Sequence, residues 1–136
     1  MKSKILMLEH DQDDRFISKE FFIELGNAVT IDFVANSTEL LSHLLVNAKS
    51  NLPSLILLSQ HASPISALTL IKEIKTHAEY QYIPIVVVGD GSGKDFTREF
   101  YEAGACSFIQ KPATYADTKM KIESFIQYWF QTVELS

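Results

Sequence analysis

The sequence predicts an α/β domain: a five-stranded parallel sheet covered by helices on both faces. Three observations carry that expectation. Short apolar runs alternate with helix-period segments along the whole chain. The first run is apolar without alternation and the third is the most apolar, as strands buried on two faces are. No Pro- or Gly-rich linker, low-complexity run or internal repeat interrupts them, so residues 1–136 read as a single domain with no output domain.

Each element has its own signal. "KILMLE" (4–9) is the first strand, apolar without alternation. "DDRFISKEFFIELG" (13–26) follows as a helix. Asp13 and Asp14 suit its first turn, where the macrodipole favours acids, and Gly26 suits its C′ position. "VTIDFVA" (29–35) is a β-branched and aromatic strand. "NSTELLSHLLVNA" (36–48) opens on Asn36 with Glu39 three residues on, an Asn-headed capping box. "PSLILLS" (53–59) is the third and most apolar strand. "SALTLIKEIKTHAEY" (66–80) is a helix with Leu68, Ile71 and Ile74 on one face. "IPIVVVG" (83–89), "KDFTREFYEAG" (94–104) and "CSFIQ" (106–110) supply strand four, helix four and strand five. The fifth helix carries an apolar stripe of Ile122, Phe125, Ile126, Trp129, Phe130 and Val133.

Composition excludes several classes. Apolar content is 46% and charged content 21%, ordinary for a water-soluble domain. The net charge is −5 and no stretch collects lysines and arginines, which argues against a nucleic-acid partner. No run is long enough to span a bilayer, and "ILML" is too short for a signal peptide. Cys106 is the single cysteine, so no internal disulfide forms and a reducing, cytoplasmic location is expected.

"IPIVVVGDGSGKD" (83–95) looks like the start of a phosphate-binding loop. The spacing does not fit. A P-loop needs four residues between its first glycine and the Gly-Lys pair, whereas Gly89 and Gly93 have three between them and Asp95 follows Lys94. "GDGSGK" also fails the dinucleotide fingerprint. A strand-to-helix turn accounts for the glycines, and no cofactor is expected.

Ligands of an open parallel sheet gather at the carboxyl ends of its strands. Those ends read "EHDQDD", "SQH", "GD" and "KP". Here the chain resembles a response-regulator receiver domain over nearly its whole length. "ILMLEHDQDDR" is similar to the opening strand and acidic loop, "PSLILLSQHAS" to the phosphoacceptor strand, and "IPIVVV" to the fourth strand. "EAGACSFIQKP" is similar to the closing signature, and "YWFQTVEL" to the ending of single-domain receivers. The resemblance implies a flavodoxin-like (βα)5 fold with strand order 2-1-3-4-5. It implies a place in two-component or phosphorelay signalling, as a CheY-like module rather than an enzyme.

The family's chemistry is phosphoryl transfer to an aspartate. Two acids hold magnesium, and a Thr or Ser and a Lys steady the transferred group by charge neutralisation and positioning. Carried onto this chain, the acidic pair falls on Glu9 and His10, the phosphoacceptor on Ser59 and the hydroxyl residue on Gly89. The switch aromatic is Phe108 and the lysine Lys111, followed by Pro112, whose preceding bond is often cis in the family. Three of these positions are altered. A serine hydroxyl sits nearer the backbone than a carboxylate oxygen, and a misplacement of ~1 Å costs about a hundredfold. Serine also needs a general base, and imidazole is a poor ligand for magnesium. The expectation is a pseudo-receiver: the fold without the phosphorylation site.

The remaining residues are read beside that conclusion. Lys111 is expected to pair with Glu9 or another strand-end acid, partly exposed. His10 and His61, near Glu9 and Asp11, are read as exposed loop histidines rather than a zinc site, so no metal is expected. Cys106 is read as a packed small residue, and Phe21 and Phe22 as core. Trp129 and Phe130 point about 100° apart on a helix, so one is expected at the rim. With Phe108 they form the expected partner surface, on helix four, strand five and helix five. The partner would be a histidine kinase or other signalling protein, or a second copy in a homodimer. Two rivals remain: a phosphorelay receiver using Asp11 or Asp13 as acceptor, and an enzyme binding a metal or nucleotide at the strand ends.

Overall fold

A computed structural model describes residues 3–9, 29–47, 50–89 and 96–110. Five strands form one parallel sheet: β1 (Ser3–Leu8), β2 (Val29–Val34), β3 (Leu55–Ser59), β4 (Ile85–Gly89) and β5 (Ser107–Gln110). Their order is β2-β1-β3-β4-β5, as the sequence predicts. The described helices are the second, third and fourth of the five expected: α1 (Ser37–Val46), α2 (Ala67–Thr76) and α3 (Phe96–Ala103). The first and fifth expected helices, with Phe21, Phe22, Trp129 and Phe130, lie outside the described residues.

The central strands are apolar throughout because both sheet faces are covered. One face buries Leu6, Leu8, Ile56, Leu58, Ile85 and Val87 with Leu40 and Leu44 of α1, Leu70, Ile71 and Ile74 of α2, and Phe100 of α3. The opposite face buries Ile5, Met7, Leu55, Leu57 and Val86. No described helix is long and apolar enough to cross a membrane.

The helix starts follow the sequence closely. Asn36 caps α1, its side chain accepting from the Glu39 amide at 2.8 Å, while Glu39 Oε2 accepts from the Ala35 amide at 2.7 Å. The reciprocal arm therefore reaches one residue further back than the capping box requires. Ser37, fully buried, accepts from the Ile65 amide at 2.7 Å and ties α1 to the segment after β3. Ser66 caps α2.

Two expectations need correction. The third helical segment ends at Thr76, and "HAEY" forms turns in which the His77 and Tyr80 rings stack with centroids 3.8 Å apart. Leu70, not Leu68, is the fully buried leucine of α2, and Leu68 packs partly buried at the core margin. Ala67, Leu70, Ile71 and Ile74 make the i, i+3, i+4, i+7 set, and Leu68 falls beside it.

Candidate functional site at the strand ends

Glu9, Ser59 and Gly89 come together at the carboxyl ends of adjacent strands. Leu8 pairs with Leu58, so Glu9 and Ser59 stand one step past that pair. Ser59 pairs with Val88, which places Gly89 next along β4. The Glu9 amide donates to Val34 O at 3.1 Å, extending the β1–β2 ladder past the end of β1. The Gln60 amide donates to Val88 O at 2.9 Å and does the same for β3 and β4.

Burial sets the chemistry here. Glu9 is 1% exposed and Ser59 6%. The expectation of a partly exposed ion pair at Glu9 is therefore corrected on the acid's side: its carboxyl lies in the interior, where a charge is tolerated only if paired or hydrogen-bonded. The Ser59 hydroxyl accepts from the His61 amide at 3.3 Å, and the Ser59 carbonyl accepts from the Ala62 amide at 3.1 Å. This serine closes a local turn, the structural use to which Ser is suited. His61 itself is exposed. Among the described residues no group of three or more His, Cys, Asp or Glu side chains could hold a metal.

Phe108 pairs with Val87 across β4 and β5 and is half-buried. Its ring lies 6.0 Å from that of Phe100 on α3. Its amide donates to the Tyr101 hydroxyl at 3.2 Å, which satisfies a donor on the edge strand. Tyr101 is 46% exposed and stands beside Phe108, an apolar neighbour that no sequence signal singled out. His10, Asp11, Asp13, Lys111 and Pro112 lie outside the described residues.

Gln60 is the residue that sequence reasoning missed. It is 5% exposed, and its side chain fills the space above Gly89. A glutamine one step beyond a strand carries no motif. Only the approach of two strand ends gives it a role.

Cys106 is corrected as well. The residue is exposed rather than packed, although its sulfur donates to Ile85 O at 3.3 Å. The sulfur, turned toward the Ile85 carbonyl, is partly buried although the residue as a whole is exposed; that desolvation pushes the thiol pKa up, and the nearby Lys75 ammonium opposes the rise. Lys75 donates to the carbonyls of Gln81 at 3.0 Å and Ile83 at 2.9 Å. A thiol held protonated and hydrogen-bonded is a poor nucleophile.

Known proteins are similar in architecture at low identity. The chain superposes on the phosphorylated cyanobacterial phytochrome response regulator RcpA with a TM-score of 0.92, at 21% identity, covering 99% of each chain. The fold is that of response-regulator receivers. The Mn(2+)-bound response regulator Rcp1 gives a TM-score of 0.89 at 20% identity, with 98% of this chain and 99% of that one covered. The chemotaxis response regulator CheY4 of Vibrio cholerae gives 0.74 at 16% identity, with 93% and 99% covered. In sequence the chain is 24% identical over 127 residues to the probable methanogenesis regulatory protein FilR2 of Methanothrix harundinacea (strain 6Ac), covering 92% of this chain and 82% of that protein. No family model matches.

Proposed function

We propose that this chain is a receiver-like module of two-component signalling that acts by binding a partner and not by accepting a phosphoryl group. The observation that supports this most is Ser59. It occupies the end of the central strand, is almost fully buried, and uses its hydroxyl to accept from the His61 amide. A phosphoacceptor must instead present a nucleophile to the donor, with a metal and a hydroxyl beside it. Gly89 supplies no hydroxyl. Acetyl phosphate with magnesium is expected to leave the intact mass unchanged. A gain of one phosphoryl group, lost on Ser59→Ala, would refute the reading. A gain lost instead on Asp11→Asn or Asp13→Asn would establish the rival phosphorelay receiver.

The binding surface in this reading is α3, β5 and the fifth helical segment, with Phe108, Trp129 and Phe130 as anchors. Tyr101 adds exposed aromatic area beside Phe108. Aromatic anchors carry much of the energy of protein interfaces. The partner is a histidine kinase, another signalling protein or a second copy of the chain. Light scattering on wild type and Trp129→Ala tests the homodimer: wild type is expected to run as a dimer that the substitution dissociates. A wild-type monomer at high concentration would remove self-association.

A further inference from the structure

Gly89 is more than a missing hydroxyl. A β-carbon at this position would collide with Cβ, Cδ and Oε1 of Gln60, with Cδ only 2.9 Å away. One of the colliding atoms is the Cβ of Gln60, which is fixed to the backbone and which no rotamer removes. Nor are the strands free to move apart. The Gln60 amide donates to Val88 O at 2.9 Å on one side of β4, and Gly89 pairs with Gln110 of β5 on the other. Gln60 is itself buried, at 5% exposure. We propose that Gln60 is a resident occupant of the space over the end of β4, and that position 89 is glycine in order to admit it. The occupied space is the one where a hydroxyl-bearing residue 89 would project. The contact is thus a built-in block: it closes the strand ends to an oxyanion and holds β3 and β4 in one arrangement.

The inference rests on the reading of the chain as phosphorylation-independent, but it is tested separately. In the full chain, Gly89→Ala is expected to lower Tm by roughly 5–10 °C, the usual range for overpacking in a domain of this size. In the Gln60→Gly background the same substitution should cost less than half as much. In the Gln60→Ala background, where the colliding Cβ persists, relief should be only partial. Equal falls in all three backgrounds, or a Gly89→Ala protein as stable as wild type, would overturn the proposal. Inorganic phosphate titrated against the backbone amide resonances of Ser59, Gln60 and Gly89 should move none of them in wild type. A saturable movement would show the space open and would also overturn it. Failure of the broader reading looks different, as a phosphorylated protein in the acetyl phosphate experiment.

Discussion

Lys111→Met is expected to lower stability by about 3–5 kcal/mol, the cost of leaving a buried charge without its partner. The reason is the burial of Glu9, whose exposure is 1%. A carboxylate at that depth loses its hydration and must recover the loss from hydrogen bonds and an opposite charge. The proposed source of that charge is Lys111, which follows β5 in the signature "FIQKP". Methionine keeps the aliphatic stem and deletes only the ammonium, so lost packing contributes little. Urea unfolding should show a lower midpoint at unchanged slope. If the pair exists, Glu9→Gln removes the charge that Lys111 is proposed to answer, so the double variant should lose less than the sum of the single losses. A Lys111→Met protein within about 0.5 kcal/mol of wild type, an ordinary surface effect, would exclude the pair.

Ser59→Asp is expected to destabilise the protein by about 3 kcal/mol at neutral pH without making it a phosphoacceptor. The introduced carboxyl would enter a site that is 6% exposed, level with the buried Glu9 on the adjacent strand. Desolvation and a neighbouring acid both disfavour its ionised form and raise its pKa in the folded state. A cost of about 3 kcal/mol is the order expected for an uncompensated buried charge. The sign follows from linkage. A group whose folded pKa exceeds its unfolded value, about 3.9 for Asp, penalises folding fully above the folded pKa. The penalty then shrinks as pH falls through the folded pKa. The gap in stability between Ser59→Asp and wild type should therefore be wide at pH 7.5 and narrow toward about pH 5. Measuring the gap rather than the variant alone cancels the acid sensitivity that both share. A gap independent of pH would contradict the buried-carboxyl argument. The variant should gain no phosphoryl group from acetyl phosphate with magnesium, because Gly89 offers no hydroxyl and Gln60 fills the space above it. Efficient phosphorylation of Ser59→Asp would mean that a single substitution restores the site.

The architecture is legible in local patterns. Strands buried on both faces must be apolar at every position, and "KILML", "LILL" and "IVVV" say so without any neighbour in view. Helix starts are equally local: Asn36 and Ser66 satisfy amides three residues away, within one turn. The identities at the strand ends were also legible, because a side chain that lacks a carboxylate or a hydroxyl cannot supply one. Other features depend on distances between segments far apart in the chain. Residues 60 and 89 are 29 positions apart, and nothing local to either encodes that Gln60 lies over Gly89. The pattern "KILMLE" runs on into an acid without showing whether water reaches it; the sheet buries Glu9 to 1% exposure. Cys106 shows the converse: a residue type that usually packs inside is left exposed just before β5, which stands at the edge of the described sheet. Periodicity and capping are properties of one segment, whereas burial and close approach are properties of pairs of segments, and the pairing is made only when the sheet closes.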